Sequence, residues 1–230
     1  MNQLKPNQER AKIAIILVLV VLGINFIHLL SLVMQYLLLN KGLTEGVDVT
    51  EADANDTREQ IISIIYLLVM LVSSITFIRW FRRAYNNLHQ KVSYLADAEG
   101  WAAGGWFVPI VSLYKPYQIM KEIFEETNKL LFNSTNKDKI LDVQIVNIWW
   151  AFWIVRIFID LINNVLQKSI QTIDDAIHST FLSMASELFT ILAGITVIMI
   201  IKKYSAVEPL LDNLKNEIDT IGQSENQDEN

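Results

Sequence analysis

The longest apolar stretch of this chain is 13-IAIILVLVVLGINFIHLLSLVMQYLLL-39. It contains no Asp, Glu, Lys or Arg, and it exceeds the roughly 20 helical residues that cross about 30 Å of hydrocarbon. Three further apolar runs reach that length, at Ile61 to Trp80, Ile145 to Leu166 and Phe181 to Ile201. The sequence therefore predicts an all-α integral membrane protein with four transmembrane helices.

The composition agrees with a membrane domain. Hydrophobic residues make up 52% of the 230 residues and the mean hydropathy is +0.29, while the charged residues, at 19%, are concentrated between the apolar runs. The chain has no Cys, which excludes disulfides, thiolate metal sites and Cys nucleophiles. Because no basic patch of the size that nucleic acid needs is present, we expect the lipid bilayer, and not nucleic acid, as the main partner. Another membrane protein or a second copy of the chain is a further candidate partner.

The first apolar run has two interpretations, because Lys5, Arg10 and Lys12 precede it as basic residues precede the core of a secretory signal. A signal peptide has an apolar region about half as long, followed by a small-residue cleavage site. Neither feature is found here. We therefore expect the run to remain in the protein as a membrane anchor.

The distribution of Lys and Arg predicts the orientation, since basic residues are retained in the cytoplasm. Fifteen lie in the N-terminal segment, in the segment from Arg79 to Asp142 and from Lys202 onward, whereas three, namely Lys41, Arg58 and Lys168, lie in the two connections on the other side. The prediction is a cytoplasmic N-terminus at 1–12, a four-helix membrane domain at 13–205 with a cytoplasmic loop at 81–144, and an acidic cytoplasmic tail at 206–230. The polar end of that tail is predicted to be disordered.

The predicted cytoplasmic loop contains 104-GGWFVPIVSLYKPYQIMKEIFEE-126, whose apolar core is far too short to span a bilayer. The aromatic and proline residues of this interfacial loop are Trp101, Trp106, Phe107, Pro109, Tyr114, Pro116 and Tyr117. Aromatic rings with a polar edge suit the headgroup level, and from Pro116 onward apolar and charged residues recur at helical spacing. Two structures fit this pattern: an interfacial amphipathic helix between helices two and three, or a cytoplasmic helix packed on the ends of the bundle.

Two segments resemble a known family. The segment 80-WFRRAYNNL-88 fits W-x-x-R-A-Y-x-N-L through Trp80, Arg83, Ala84, Tyr85, Asn87 and Leu88. The segment 100-GWAAGGWFVPIVSLYKPY-117 fits G-W-A-x-x-x-W-F-V-P-I-x-x-L-x-x-P-Y. Over roughly residues 10–205 the chain resembles the bacterial membrane proteins catalogued as domain of unknown function 4328. The resemblance implies a multi-pass protein of the bacterial cytoplasmic (inner) membrane, and it implies no activity, cofactor or catalytic residue.

Polar residues inside the predicted spans are the candidates for chemistry, because a charge there is costly unless it is paired or faces water. Arg156, Asp160 and Asn163 share one face of the third helix, and Arg156 and Asp160 have ion-pair spacing. Glu187 can share Arg156, pair with protonated His28 or stay neutral, and we expect it to join Arg156 and Asp160 with His28 at similar depth. Such a cluster either responds to protons or ions, or fastens the four helices together.

Enzyme and metal motifs are not found in the sequence. His89 and His178 lie on opposite sides of the membrane in the predicted topology, and no glycine-rich phosphate loop, G-x-S-x-G or H-E-x-x-H occurs. We expect no enzymatic activity, catalytic residue, metal or cofactor. The main hypothesis is an assembly or accessory protein whose aromatic cytoplasmic loop docks on lipid or on a partner. The alternative is a small transporter or a proton- or ion-responsive protein that uses the intramembrane cluster.

Overall fold

A computed structural model describes residues 4–132, 134 and 137–212, and these residues form helices and no strand. The helices are α1 (Gln8–Thr44), α2 (Val49–His89), the short α3 (Trp101–Gly104), α4 (Lys115–Phe132), α5 (Gln144–Gln167) and α6 (Ile173–Val207). In the described part of the chain, α1, α2, α5 and α6 are long and apolar enough to cross a membrane. The four spans predicted from the apolar runs are thus present, which is consistent with a multi-pass membrane protein.

The connection between α1 and α2 is much shorter than the sequence suggested. It contains only residues 45–48, so Arg58, which the bounds of the apolar runs place in this connection, lies on α2 instead. The physical reason is the absence of Gly and Pro between Gly46 and Gly100, which leaves nothing to stop a helix. The start of the predicted cytoplasmic loop 81–144 is helical for the same reason, since α2 continues to His89.

Local signals place the start of α2. Gly46 turns the chain with a φ of +81°, a conformation that costs glycine little. Asp48 follows as the N-cap residue, and its carboxylate accepts a hydrogen bond from the Thr50 N–H at 3.2 Å. Hydrogen bonds from Thr50 lower the pKa of Asp48 below its usual range. The helix therefore begins directly after this cap.

The chain divides into two compact units. The first, here called the bundle unit, contains Ile16–Ser74 and Ile148–Val197. The second, here called the loop unit, contains the described parts of Met1–Ile15, Ile75–Asn147 and Ile198–Asn230.

The bundle unit is apolar outside and partly polar inside. Large apolar side chains such as Leu68 and Phe158 are 59% and 60% exposed, whereas Asn25 is fully buried and Ser31 nearly so. This is the reverse of a soluble domain, and an apolar surface of this extent needs lipid around it. Gly194 of α6 lets α1 approach closely, since a Cβ there would lie 2.6 Å from a Leu22 methyl group.

The loop unit has a conventional aromatic and aliphatic core. Its fully buried side chains include Trp80, Phe81, Tyr85, Ile119, Met120, Ile123, Phe124, Leu131 and Tyr204. Five of these form the apolar face of α4, which begins with a buried Pro116 in its first turn. Protein thus covers the apolar face of α4, which favours a helix packed on other helices over one whose apolar face lies in lipid.

The start of the predicted C-terminal tail packs within the loop unit. Leu211 is fully buried, and Asp212 accepts a hydrogen bond from the Leu4 N–H at 3.3 Å and lies 3.4 Å from the Lys91 ammonium. The predicted disorder concerns residues beyond 212, which lie outside the described residues.

Candidate functional site

The imidazole of His28 joins three helices of the bundle unit. Its Nδ1 lies 2.8 Å from Glu187 Oε1 on α6, and its Nε2 lies 3.2 Å from Glu59 Oε2 on α2. The three side chains are mostly enclosed, with 17%, 13% and 18% of the His28, Glu187 and Glu59 side-chain surfaces exposed. We call these three residues the histidine bridge.

The number of protons in the histidine bridge follows from its geometry. A neutral imidazole has one N–H donor and one bare nitrogen. Because both ring nitrogens of His28 face a carboxylate oxygen, a neutral ring between two ionised carboxylates would set a nitrogen lone pair against an oxygen lone pair. Both contacts can be hydrogen bonds only when the bridge holds one further proton, either on the ring or on one of the carboxyl groups.

Ser31 and Arg58 extend the bridge on the side of Glu59. The Ser31 hydroxyl donates a hydrogen bond to Glu59 and accepts one from Arg58 Nε at 2.7 Å. Arg58 Nη2 donates to the Ser31 carbonyl at 3.3 Å and lies 3.6 Å from Glu59 Oε1. With His28 protonated, two cations face two carboxylates, so the group is neutral as a whole, which lowers its cost in apolar surroundings.

Arg156, Asp160 and Asn163 lie on α5, and their partners are on the same helix and on α6. Arg156 Nε is 3.3 Å from Asp160 Oδ2, at a geometry that makes the contact an ion pair without a hydrogen bond from Nε. Ser186 donates a hydrogen bond to Asp160. Asn163 donates to Ser183 at 2.8 Å and accepts from Ser179 at 2.8 Å, so it fastens α5 to α6.

The expected cluster is only partly assembled. Among the described residues Arg156 forms an ion pair with Asp160 but none with Glu187, which instead contacts His28. The structure thus separates the predicted cluster into the histidine bridge and an α5–α6 pair.

The end of α2 belongs to the loop unit and is mainly structural. Trp80 and Tyr85 are fully buried, and the Tyr85 hydroxyl donates to Glu122 at 2.6 Å. Asn87 donates to Glu208 at 2.8 Å and to the Lys5 carbonyl at 2.9 Å. Arg83 differs from these residues, because it lines an open cavity.

The interfacial loop is exposed at its tip. Trp106 packs edge-on against Phe77 at 5.7 Å between ring centroids, and the Tyr117 hydroxyl donates to Asn147 at 2.9 Å. Between them, residues 107–110, 113 and 114 are exposed, with Phe107 at 74% and Ile110 at 76%; Trp101 is also exposed. Residues 107–114 are called the loop tip below.

Comparison with protein families places this architecture in a known group. The model of a family described as a domain of unknown function (DUF4328) matches residues 44–206, more than half of the chain. The chain belongs to the DUF4328 family. The resemblance inferred from the two motifs is confirmed, although the match begins at residue 44 and leaves almost all of α1 outside. No curated protein and no solved structure matches the chain.

The DUF4328 match includes some of the candidate residues and leaves out others. Glu59, Arg156 and Glu187 lie within it, as does the whole end of α2, whereas His28 precedes it. The histidine bridge of this DUF4328 protein therefore combines residues from inside and outside the matched segment.

Two residues of the site, Arg58 and Glu59, precede the second apolar run, which begins at Ile61, so hydropathy alone places them in a loop. The uninterrupted helical composition after Asp48 is the signal that identifies them, since it places both residues on the helix that carries the second span. Within the described residues, no group of three His, Asp or Glu side chains in this DUF4328 protein has the arrangement of a metal site.

Proposed function

We propose that this protein is a non-enzymatic, multi-pass membrane protein that responds to protons, with His28 as the proton-binding group and Glu59 and Glu187 as its partners. One observation carries the proposal: each nitrogen of the His28 ring has a carboxylate oxygen of another helix within 3.2 Å. The proposal develops the alternative drawn from the sequence, with Glu59 in place of the Arg156 pair.

Proton release changes what holds the three helices together. A neutral His28 can donate to one carboxylate only, so the contact with either α2 or α6 is lost. The group with Arg58 then carries a net negative charge, which apolar surroundings disfavour. The neighbouring charges, Arg156 and Asp160, form a pair of their own and do not compensate it. The protonation state of the bridge and the packing of α1, α2 and α6 are thus coupled.

The test is a pH titration of the His28 ring in the full chain. The chain has three histidines, His28, His89 and His178, so ring ¹⁵N signals in lipid nanodiscs can be assigned with His89→Gln and His178→Gln. We expect Glu59→Gln and Glu187→Gln each to move the midpoint of the His28 titration to lower pH, because each removes a carboxylate that favours the protonated ring.

The matched control is Glu51→Gln, which removes an exposed carboxylate paired with Lys41. It should leave the His28 midpoint unchanged. A His28 ring that titrates identically in the parent, Glu59→Gln and Glu187→Gln would refute the proposal. A pH-sensitive dye inside proteoliposomes then distinguishes transport from sensing, because only transport gives a dye signal that His28→Asn abolishes.

A second function is favoured by the exposed loop tip. Phe107, Val108, Ile110, Leu113 and Tyr114 present a large apolar surface that the loop unit leaves uncovered. Lys115 follows directly, but it is half-buried and lies 3.0 Å from Asp97 Oδ1, so the apolar side chains, and not this cation, support the docking. We propose that the tip docks on lipid, or on an apolar patch of a partner, as expected for an assembly or accessory protein.

A fluorophore on a cysteine at Phe107 tests the docking. We expect a blue shift in nanodiscs relative to the same label at Gln118, which is exposed on α4. Equal, water-like emission at both positions would exclude docking on lipid. For the orientation, the bias of Lys and Arg supports both termini in the cytoplasm at the bacterial inner membrane.

A further inference from the structure

Five basic side chains converge on one cavity of the loop unit. The cavity measures about 460 Å³ and is lined by Lys5, Arg10, Arg79, Arg82 and Arg83, together with Asn86 and Glu99. Arg10 is held over the end of α2, because its Nη1 donates to the Arg79 carbonyl at 3.3 Å. The volume lies within the range of small-ligand sites. We call these five cations the basic pocket.

The single carboxylate that lines the cavity, Glu99, already has two partners. Glu99 Oε1 lies 3.1 Å from Arg82 Nε, and Glu99 Oε2 accepts a hydrogen bond from Asn86 Nδ2 at 2.6 Å. In the part of the chain that the structure describes, Lys5, Arg10, Arg79 and Arg83 form no ion pair with a carboxylate. The pocket therefore carries an excess of positive charge.

That excess is unfavourable without an anion. Arg79 and Arg83 both act electrostatically against the charge of Arg10, and Arg10 and Arg83 are partly buried. Like charges held close together repel each other and raise the free energy of the folded protein, and a bound anion lowers it again. Guanidinium groups offer forked donors that match the oxygens of a phosphate group. The chemistry of the pocket thus fits a phosphate.

The position of the pocket in the sequence gives the source of the phosphate. Arg10 lies just before the apolar run that begins at Ile13, and Arg79 is next to Trp80, the last residue of the second run. Both helices therefore change from polar to apolar beside the pocket, where the phosphates of a bilayer lie. Basic pockets at such positions are suited to anionic headgroups.

We propose that the basic pocket binds the phosphate group of an anionic ligand, through Arg10, Arg79 and Arg83, with an anionic phospholipid as its source. Arg82 is left out of this set because Glu99 already neutralises its charge.

The experiment uses the full chain in detergent, titrated with short-chain phosphatidylglycerol, with phosphatidylcholine of the same chain length and with inorganic pyrophosphate. Binding is followed by thermophoresis of a label at Gln118. We expect phosphatidylglycerol to bind and Arg79→Gln or Arg83→Gln to weaken it about tenfold, as for the loss of one charge-assisted hydrogen bond. Lys203→Gln, which removes an exposed cation that does not line the pocket, should have no effect.

The outcomes separate the two sources. Binding of phosphatidylglycerol alone, weakened by the pocket substitutions, supports a lipid site. Binding of pyrophosphate with the same sensitivity supports the phosphate site but makes its ligand soluble. Binding of neither, or equal losses with Lys203→Gln, overturns the proposal and leaves the cations as determinants of orientation only. Arg79→Lys and Arg83→Lys keep the positive charge and replace the Gln variants if those fail to fold. The Lys variants should weaken binding less than the Gln variants do. Unchanged binding of the Lys variants would exclude the forked guanidinium contact.

Discussion

His28 Nδ1 and Glu187 Oε1 lie 2.8 Å apart although 159 positions separate the two residues in the chain. The contact joins α1 to α6, two helices that approach closely at Gly194. With Glu59 on α2, the same imidazole connects three helices of the bundle unit. The ring can donate a hydrogen bond to both carboxylates only when it is protonated.

Removal of the Glu187 carboxylate should destabilise the bundle unit. Glu187→Ala leaves His28 with one partner, and breaking a largely enclosed ion pair costs on the order of 3 kcal/mol. Glu187→Gln retains a hydrogen-bond acceptor and should lose less. Unfolding in detergent, followed by circular dichroism, measures both. Leu188→Ala is the control, since Leu188 is 51% exposed and should change little. Equal stability of Glu187→Ala and Leu188→Ala would contradict the contact.

Substitution of Arg156 tests which carboxylate it pairs with. Arg156→Ala should destabilise the protein because it leaves Asp160 with Ser186 but no cation. Adding Asp160→Asn to Arg156→Met should recover part of the loss, since it removes the unpaired charge. Adding Glu187→Gln instead should not, because Glu187 pairs with His28. If stability recovered in the double variant with Glu187→Gln but not in the one with Asp160→Asn, the cluster expected from the sequence would be favoured over the observed one.

The sequence predicts those features of the fold that depend on long or local patterns. Apolar runs of about 20 residues identify the four spans, because the bilayer sets their length. The Arg156–Asp160 pair follows from helical spacing within one element. Both statements need no knowledge of how helices are arranged.

Contacts between helices were not predictable in the same way. Depth along the helices places Glu187, Arg156 and His28 near one another, but which of the two cations contacts Glu187 depends on how the helices pack. Hydropathy does not predict that Glu59 lies on a helix, because α2 begins at Val49, well before its apolar run begins at Ile61. The fully buried face of α4 likewise required knowledge of what covers it.

The orientation of the chain can be measured with introduced cysteines, because the sequence has none of its own. Single cysteines at Asp53 and Asp174 should react with an impermeant thiol reagent in intact cells, whereas one at Lys139 should react only after lysis. The reason is the excess of Lys and Arg on the predicted cytoplasmic side. All three positions are exposed, so access to solvent does not differ between them. Labelling of Lys139 alone would reverse the topology.

Ile110 at the loop tip has a strained backbone. Its φ of 66° and ψ of −48°, with a Val111 N–H to Pro109 carbonyl bond of 2.8 Å, form a positive-φ γ-turn. Ile110→Gly should raise stability by about 1 kcal/mol, because glycine adopts this conformation freely and the side chain is 76% exposed. Val108→Gly, at a position without positive φ, should lower stability. Thermal unfolding compares the two variants, and a loss with Ile110→Gly would argue against strain.

The last prediction concerns Asn87, whose amide should be irreplaceable by a carboxylate. Asn87 and Glu208 are 1% and 4% exposed, and the Asn87 amide donates to Glu208 at 2.8 Å. Asn7 donates to both Glu208 oxygens, at 3.2 and 3.1 Å, so the Glu208 carboxylate depends on amide donors. Asn87→Asp should destabilise the loop unit by on the order of 3 kcal/mol, because it sets two buried carboxylates against each other, and Asn87→Ala should cost less. Glu208→Gln combined with Asn87→Asp should recover part of the loss, since the amide and the carboxylate then exchange places.

Gln118→Glu makes the same chemical change at an exposed position of α4 and should be neutral. Tryptophan fluorescence during urea unfolding in detergent reports on this unit through Trp80 and Trp106. An Asn87→Asp variant as stable as Gln118→Glu would show that the Asn87–Glu208 contact does not hold the unit together.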